Sequence, residues 1–316
     1  MEHIHPSRCT STMPSEFKEY HVGEPKIDGS RYMLYIGCDP FDRQSCNALL
    51  SRHISKVDGL PVDKTKNIPQ VTDHEFLDLQ DTILDGEVFL KDFHYTSSIM
   101  NSSPSNAIAK QESDGWLNYY VFDVLVFRGQ DIRGWSYTKR RKVLKAVVKR
   151  MGLEHVKVVP QYKPEQIPEM FSKIVKAGGE GLIIKDIRCG YGVNWCKLKR
   201  SYDVSCFISG YKEGNGKYRG NVGAIELSVY SEDGKTIAVG WASGFTDQLR
   251  NEINEDREGF IGVAVDIFAH ELSVKGVRLR HPTFHRIRND VNAEDCTLEK
   301  LKDDFKKKAR TNRWKR

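Results

Sequence analysis

Hydrophobic and polar positions follow two different rhythms along the chain, and the change falls near Tyr202. Before this point, apolar runs bounded by turn residues alternate with segments in which apolar residues recur every three or four positions. This mixture predicts alternating strands and helices. After it, short strand-like runs follow one another between glycine-containing turns. We therefore expect an α+β domain over residues 1–202 and an all-β domain over residues 203–316.

In the first domain, strands are predicted for RYMLYI, TILDGEVFL and LNYYVFDVLVF, which are rich in aromatic and β-branched residues. The segment TKRRKVLKAVVKRMG has apolar residues at helical spacing, with Thr138 as the predicted N-cap and Gly152 just past the end. IPEMFSKIVKAGG predicts a second helix of the same design. The first twenty residues, with Pro6 and Pro14 among serines and threonines, are expected to be a loosely attached lead-in.

In the second domain, the predicted strands are VSCFISGY, GAIELSVY, TIAVGWA, IGVAVDIFA and VKGVRLRHPTF. A helix is predicted near DQLRNEINED. A short amphipathic helix is also consistent with LEKLKDDFKKKAR, in which Leu298, Leu301 and Phe305 share one face. Short strands with glycine-rich turns predict a small β-barrel.

Composition narrows the class of protein. Charged residues make up 29% and apolar residues 39%, with no run long enough to cross a bilayer and no N-terminal signal pattern. We therefore expect a cytoplasmic protein that does not bind membranes. The seven cysteines include no CxxC pair, so reduced thiols are expected rather than disulfides or a zinc site.

The net charge of +6 is concentrated at the C-terminus. Residues 298–316 contain nine Lys or Arg and three Asp or Glu, a net of +6, so the remaining residues are balanced. Such a tail is typical of an arm that binds a polyanion, of a localisation signal or of a solvated end. The sequence leaves these three alternatives open.

One lysine has an unusual setting. HVGEPKIDGSRYMLYIG places Lys26 before an Asp-Gly pair, which predicts a tight turn that presents the amine, and Arg31 follows. Other segments with potential chemistry come after it in order: LLSRH with Arg52, LDGEVFL with Glu87, YYVFDVL with Phe122, GGEGLIIKD with Glu180, and WCKLKR with Lys197 and Lys199.

This ordered set resembles the covalent nucleotidyltransferases, and among them the small two-domain ATP-dependent DNA ligases of bacteriophages and other viruses. The resemblance extends from about residue 20 to residue 290. It implies a nucleotidyltransferase (adenylation) domain with antiparallel sheets, followed by an all-β OB-fold barrel. It also implies ATP and Mg²⁺, with Mn²⁺ able to replace Mg²⁺, and a monomer that acts on nicked duplex DNA. In this chemistry, a nick is sealed through lysyl-AMP and an adenylated 5′-phosphate.

The resemblance assigns roles to individual residues. Lys26 would be the nucleophile, Glu24 would read the adenine amino group and Phe122 would stack on the purine. Glu87 and Glu180 resemble the two acids at the ribose and the metal, and carboxylates are ligands that Mg²⁺ prefers.

The arginines and Asp28 have different implied roles. Arg31 and Arg52 resemble the arginines that grip the 5′-phosphate of the nick, where a guanidinium fork matches phosphate geometry. Asp28 would lie near both the amine and the reacting phosphate, either to orient Lys26 or to assist the later attack.

Chemistry explains why cations would surround Lys26. A free lysine at neutral pH is almost wholly ammonium, yet an amine attacks phosphorus only when it is unprotonated. Nearby cations lower the pKa of a lysine. Lys197, Lys199, Arg31 and Mg²⁺ would supply such a field and also neutralise the phosphate.

In the second domain, LRHPTFHRIRND resembles the last motif of the family, which orients the departing pyrophosphate. Arg286 and Arg288 are its candidate cations and Asp290 its acid, but Val291 stands where the family usually has lysine. YKEGNGKYRGNVGAIE resembles the glycine-rich start of the barrel. Its cations either meet the DNA backbone or lie on a solvated hairpin; they are Lys212, Lys217 and Arg219.

Other interpretations remain for these motifs. Taken alone, Glu87 is consistent with an exposed turn acid, Phe122 with a core aromatic, and KLK with a solvated strand face. An mRNA capping guanylyltransferase shares the lysine chemistry, although WCKLKRSYD resembles the ligase version of that motif. Arg31 and RHPTF disfavour an RNA ligase. The 25 residues before Lys26 and the absence of a four-cysteine module disfavour an NAD-dependent ligase. A non-catalytic DNA-binding protein on a decayed ligase scaffold is the remaining alternative.

Overall fold

The computed structural model describes residues 3–9, 12–37, 40–41, 47–273, 277–306 and 310–311. The chain divides into two compact units, Met1–Leu198 and Lys199–Arg316, which are treated separately below. None of the helices within the described residues is long and apolar enough to cross a membrane.

The first unit is built from strands with five helices along their connections. The strands are β1 (His21–Pro25), β2 (Ser30–Ile36), β3 (Ala48–Ile54), β4 (Pro61–Asp63), β5 (Thr82–Phe89), β6 (Asn118–Phe127), β7 (Gln130–Asp131), β8 (Val156–Val158), β9 (Gly181–Asp186) and the start of β10 (Cys196–Glu213). The helices are α1 (Pro69–Thr72), α2 (Phe93–Met100), α3 (Pro104–Asp114), α4 (Tyr137–Met151) and α5 (Ile167–Lys176). The strands and helices predicted from the hydrophobic pattern are therefore present.

Most strands of this unit form one sheet in the order β4-β3-β2-β5-β6-β7, with β8 parallel to β6 and the other pairs antiparallel. β1 pairs antiparallel with β9. The sheet is covered on both faces. Leu34 and Ile36 of β2 belong to one apolar cluster, whereas Met33 and Tyr35 belong to another. Burial on both faces explains why RYMLYI is nearly continuous in apolar residues rather than alternating.

The segment with Lys26 is not the tight turn that the Asp-Gly pair predicted. It is a connection between β1, which pairs with β9, and β2, which pairs with β3 and β5. Gly29 has an ordinary backbone conformation rather than a left-handed one. A Cβ atom on Gly29 would lie 2.2 Å from the carbonyl oxygen of Val88. The glycine is needed for this close approach to β5, not for a turn.

Helix α4 begins two residues earlier than predicted. Ser136, not Thr138, is the N-cap, and its side chain accepts a hydrogen bond from the backbone of Lys139. Gly152 ends the helix in the left-handed conformation, as predicted.

The buried face of α4 also contains charged side chains. Arg140 and Asp123 of β6 are both fully buried and form a two-bond ion pair, with Nε to Oδ1 at 2.8 Å and Nη2 to Oδ2 at 3.0 Å. The Nη1 group of Arg140 donates to the carbonyl oxygens of Trp135 and Cys189. Hydrogen bonding of this kind is what permits a charge inside a core.

The N-terminal lead-in is not loosely attached over its described residues. The backbone amide of Ile4 donates to the hydroxyl of Tyr35 at 3.0 Å, and Arg31 donates to the carbonyl oxygen of Ser7 at 2.7 Å. Met13 and Phe17 pack against an apolar cluster formed by α5, β9 and the start of β10. These contacts attach the described parts of the segment to the first unit.

The second unit contains the rest of β10, followed by β11 (Val222–Tyr230), β12 (Thr236–Ala242), α6 (Asp247–Glu255), β13 (Ala264–Ala269), β14 (Glu271–Leu272), β15 (Leu279–Arg280), β16 (Thr283–Ile287), α7 (Leu298–Lys306) and β17 (Arg310–Thr311). β10 pairs antiparallel with β11, β13 and β17, β11 with β12, and β13 with β16. These strands surround one apolar core.

Both helices predicted for the second unit are present. Thr246 is the N-cap of α6. In α7, Leu301 is buried and Phe305 contacts Tyr202 with ring centroids 4.6 Å apart. The alternative in which this face packs on the barrel is therefore correct for α7. The tail residues 307–309 and 312–316 lie outside the described residues, as do Cys38 and Cys46. The five described cysteines are free thiols.

Candidate active site

A cavity of about 830 Å³ opens in the first unit beside the β1–β2 connection. Its walls come from β2, β3, β5, β6, the start of β10 and the N-terminal segment. Among the residues predicted from sequence motifs, those that line it are Glu24, Lys26, Arg31, Arg52, Glu87, Phe122 and Lys197. The fold thus brings together residues that are up to 173 positions apart, from Glu24 to Lys197.

Lys26 lies at the wall of this cavity. Its backbone amide donates to the carbonyl oxygen of Gly181 at 2.9 Å, which fixes the connection against β9. Its ammonium group forms an ion pair with Glu180, and both side chains are mostly buried. The sequence predicted a field of cations around this amine, but its ion-pair partner is an acid.

Glu24, at the end of β1, is a buried carboxylate with several hydrogen-bond donors. Lys185 of β9 contacts its Oε2 at 2.7 Å. Its Oε1 accepts from the hydroxyl of Tyr137, from Gln161 at 3.2 Å and from Arg141 at 3.4 Å. Opposite charges and donors of this kind offset the cost of burying a carboxylate and fix its orientation.

Aromatic rings form the neighbouring wall. Phe122 and Trp195 are perpendicular to each other, with ring centroids 6.3 Å apart. The ammonium of Lys185 lies 4.2 Å from the ring centroid of Trp195 and 5.2 Å from that of Phe122. Phe122 is therefore a cavity aromatic and not simply a core residue of β6. Such rings offer a flat apolar surface to a purine.

Arg31 is bound by protein groups to a large extent. Its Nε and Nη2 donate to the two oxygens of fully buried Asp85 at 2.9 and 2.6 Å. The remaining contacts are with the carbonyl oxygen of Ser7 and, at 3.1 Å, with the hydroxyl of Tyr191. Four donor contacts leave little capacity for the predicted grip on a phosphate, because a guanidinium has five N–H groups.

Glu87 faces Arg31 across the β2–β5 pair. Burial raises the pKa of Glu87 to about 7, although Lys26 and Arg31 oppose this rise. No ion pair or hydrogen bond joins its side chain to another of the described residues. A partly buried carboxyl group in this setting is well suited to accept a hydrogen bond from a hydroxyl group or to bind a cation.

Two further predicted residues reach the site differently. Glu180 contacts Lys26 but is not among the described residues that line the cavity. Asp28 is not among the lining residues either. Lys199 belongs to the second unit and is partly buried on β10.

Arg286 and Arg288 lie at the end of β16 in the second unit, where they share one acid. Arg286 contacts Asp266 at 2.8 Å, and Arg288 contacts Asp266 at 2.9 Å and Asp290 at 2.7 Å. Asp266 also lies within 4.8 Å of the ligand atoms of Asp203 and His285. Because two guanidinium groups already neutralise Asp266, this cluster does not suit a divalent cation.

Several residues of the site were not found by sequence reasoning: Asp85, Tyr137, Arg141, Gln161, Lys185, Tyr191 and Trp195. Lys185 did leave a signal, since a lysine that directly follows the apolar run GLII in a buried strand needs a partner. Asp85 directly precedes the glycine of LDGE. The partners themselves come from distant parts of the chain.

Comparison with known proteins gives related sequences and structures. A DNA ligase from Nitrosopumilus maritimus is 25% identical over 251 residues, which cover 74% of this chain and 42% of that protein. A DNA ligase from Haloarcula marismortui is 25% identical over 303 residues, which cover 86% of this chain and 52% of that protein. The chain thus spans about half the length, or less, of these curated relatives. The solved structure "Pmar-Lig_Pre." has a TM-score of 0.63 and 24% identity, with 85% of this chain and 63% of that chain covered, which shows a shared fold.

Two protein families match along the chain. The family described as "DNA ligase OB-like domain" matches residues 213–288. The family described as "ATP dependent DNA ligase domain" matches residues 7–199, which is more than half of the chain. The predicted order of a nucleotidyltransferase domain and an OB-fold domain is thereby confirmed. The chain belongs to the ATP-dependent DNA ligase family.

Proposed function

We propose that this protein is an ATP-dependent DNA ligase that seals nicks in duplex DNA. Lys26 takes AMP from ATP and releases pyrophosphate, AMP passes to the 5′-phosphate of the nick, and the adjacent 3′-hydroxyl displaces AMP to close the strand. Family membership supports this chemistry, because nick sealing through an adenylated lysine is the family's general function. The proposal includes a monomer as the working form, with an adenylation domain over residues 1–202 and an OB-fold domain over residues 203–316.

One observation carries the proposal. Lys26, Glu24 and Glu87 line a single cavity, in which donors fix the carboxylate of Glu24 while that of Glu87 makes no ion pair or hydrogen bond with another described residue. Covalent transfer of a nucleotide needs a nucleophile, a means of selecting the base and a means of neutralising phosphate charge. These three requirements correspond to Lys26, to Glu24 with the aromatic wall, and to the cations of the cavity.

The geometry supports separate roles for the two arginines from the first motifs. Arg52 lines the cavity without an ion pair among the described residues, so it has donors for the 5′-phosphate of a nick. Arg31 is bound to Asp85, and we assign it a positioning role that fixes β2 next to β5. Asp28, Lys199, Arg286 and Arg288 keep the roles that the family resemblance implies, with Lys197 as a charge partner of the α-phosphate.

The donor set also fits a divalent cation. The carboxyl group of Glu87 has a pKa raised to about 7 by burial and makes no ion pair or side-chain hydrogen bond with another described residue, while the carboxylate of Glu180 forms an ion pair with Lys26. We propose that Glu87 and Glu180 hold Mg²⁺, with Mn²⁺ as a substitute. The bound ion supplies charge neutralisation and orientation for the phosphates.

The test is covalent labelling. The protein is incubated with Mg²⁺ and labelled ATP, GTP or NAD in separate tubes, and label that survives denaturing electrophoresis is measured. We expect label from ATP and none after Lys26→Ala, because the nucleophile is lost. Lys26→Ala should still seal a nick that is already adenylated, since the last step does not need the amine. Strong label from GTP would indicate a capping enzyme, and label from NAD would indicate the other ligase class.

A further inference from the structure

The cations of the cavity fall into two groups. Lys26, Arg31 and Lys185 are each neutralised by an acid, namely Glu180, Asp85 and Glu24. The other lysines and arginines in the lining make no ion pair or side-chain hydrogen bond within the described ranges, and these are Arg8, Arg52, Lys64 and Lys197. Arg52 and Lys197 belong to recognised motifs. Arg8 belongs to the N-terminal segment and to none of them.

The residue before Arg8 is held through both its backbone amide and its carbonyl oxygen. The amide of Ser7 donates to the hydroxyl of Tyr191 at 3.2 Å, and its carbonyl oxygen accepts from Arg31 at 2.7 Å. Ser7 also packs closely on Gly192, where an added Cβ atom would lie 2.4 Å from the Cβ atom of Ser7. These contacts fix the backbone that carries Arg8, and Arg8 lines the cavity.

The pKa of Cys9, the residue after Arg8, is influenced by nearby charges. Burial raises the pKa of the Cys9 thiol, whereas Lys197, Arg31, Lys185 and Lys26 act in the opposite direction. The segment therefore lies close to the cations of the cavity. Of these, Lys197 and Arg8 have no acid partner among the described residues, so an anion that binds there can be neutralised by both.

We propose that Arg8 is a phosphate-binding residue of this cavity. The inference rests on the proposed function for the identity of the ligand, because the triphosphate of ATP and the 5′-phosphate of a nick offer the same chemistry. A guanidinium matches two phosphate oxygens with two parallel hydrogen bonds, and none of the side-chain donors of Arg8 is used by another residue within the described ranges. The N-terminal segment is thus a functional wall of the site.

The test compares three variants of the full chain. Arg8→Ala removes the guanidinium, Arg8→Lys keeps a charge but not the fork, and Lys157→Ala removes an exposed charge on β8 outside the cavity. Binding is measured by calorimetry at constant ionic strength with inorganic tripolyphosphate. It is measured separately with nicked duplex DNA with and without the 5′-phosphate. Melting temperatures verify that each variant is folded.

We expect Arg8→Ala to weaken the binding of one of the two ligands about 10-fold or more, the usual loss for a charge-assisted hydrogen bond, with the affinity of Arg8→Lys between that of Arg8→Ala and the wild type. Loss of affinity for tripolyphosphate would identify the phosphates of ATP as the ligand of Arg8. Loss of affinity only for DNA with the 5′-phosphate would identify the phosphate of the nick. If Arg8→Ala binds both ligands as Lys157→Ala does, the inference is wrong.

These outcomes are separate from the test of the proposed function. If the wild type takes no label from ATP but Arg8→Ala weakens the binding of tripolyphosphate, the ligase proposal is rejected and the phosphate site is retained. If the wild type is labelled by ATP but Arg8→Ala binds tripolyphosphate and nicked DNA normally, the ligase proposal is retained and the phosphate site is rejected.

Discussion

The two oxygens of Glu24 differ in the number of donors they receive. Oε1 accepts from Tyr137, Gln161 and Arg141, whereas the contact of Oε2 is with Lys185. An ionised carboxylate has about four lone-pair sites, so Oε2 retains capacity for another donor. The exocyclic amine of adenine is such a donor, whereas guanine has a carbonyl oxygen at the same ring position. If Glu24 reads adenine, as proposed above, the selection of ATP over GTP depends on the donors that fix Glu24.

Tyr137→Phe tests this dependence. We expect a loss of about 1–3 kcal/mol in the free energy of unfolding, because a buried carboxylate loses one partner, together with weaker discrimination between ATP and GTP in self-labelling. Tyr95→Phe is the matched control, since the hydroxyl of Tyr95 also donates to an acid, Asp114, but on the exposed surface. Equal effects of the two substitutions on the choice of nucleotide would contradict the role given to Tyr137.

The raised pKa of Glu87 predicts a pH dependence of stability. The ordinary pKa of a glutamate is near 4.5 and that of Glu87 is about 7, so between these pH values the folded protein binds more protons than the unfolded chain. The free energy of unfolding should therefore fall as pH rises from 5 to 8, by on the order of 1–3 kcal/mol from this group. Denaturant unfolding of wild type and Glu87→Gln at both pH values measures it. The same pH slope in both proteins would show that Glu87 is not responsible.

At this scale, sequence reasoning identified several residues that line the cavity and missed those that hold them in place. Lys26, Glu24 and Phe122 stand in recognisable local patterns and line one cavity. Lys185 and Asp85 occupy positions that a pattern assigns to the core, because their neighbours are apolar. Their function comes from partners in other strands, and the identity of such partners depends on strand order and register.

Elements fix the site through close backbone approach as well as through side chains. Gly29 allows the β1–β2 connection to pass against β5, with the carbonyl oxygen of Val88 in the place that a side chain would need. The position of Lys26 therefore depends on the contact between two segments and not on a turn type.

Gly29→Ala should shift this connection. We expect a loss of about 1–3 kcal/mol in the free energy of unfolding, the usual cost of overpacking, and slower labelling by ATP because Lys26 is displaced. Gly134→Ala is the control, since a Cβ atom there meets no neighbour within 4 Å and the backbone is not left-handed. It should be neutral or slightly stabilising. Wild-type stability and labelling in Gly29→Ala would show that the connection has room to relax.

Hydrophobic periodicity predicted the strands and helices well, since alternation and helical spacing are local properties. It failed at the start of α4. Tyr137, Arg140 and Arg141 continue the buried face formed by Leu144 and its neighbours, but the two arginines are charged and so add nothing to the apolar periodicity. Their burial depends on Asp123 and Glu24, which belong to other strands. No local pattern contains that information.

At the scale of the whole molecule, the excess of positive charge lies near the C-terminus. Residues 298–316 hold a net charge of +6, and α7 in this region has an apolar side packed in the second unit. The alternatives of a DNA-binding arm and a solvated end concern the residues that follow α7. An arm releases counterions from DNA and so contributes to the salt dependence of binding, whereas a solvated end does not.

Replacing Lys307, Lys308 and Lys315 by Gln tests the arm without shortening the chain. If all three contact phosphates, the slope of log affinity against log salt for nicked duplex DNA should decrease in magnitude by roughly 2–3, while labelling by ATP without DNA is unchanged. The control replaces three exposed lysines of α4 by Gln: Lys142, Lys145 and Lys149. An identical slope in wild type and the tail variant would reject the DNA-binding arm.

The buried pair of Arg140 and Asp123 restricts how this fold can change during descent. Loss of either partner leaves a charge unpaired in the core at a cost of about 3–5 kcal/mol, a large part of the roughly 5–15 kcal/mol that stabilises a domain. Exchange of both for apolar residues is far less harmful, but the carbonyl oxygens of Trp135 and Cys189 would then lose their donor as well. A lineage that leaves this arrangement must therefore pass through a poorly folded ancestor or change several positions together. The two residues are expected to be inherited as a unit.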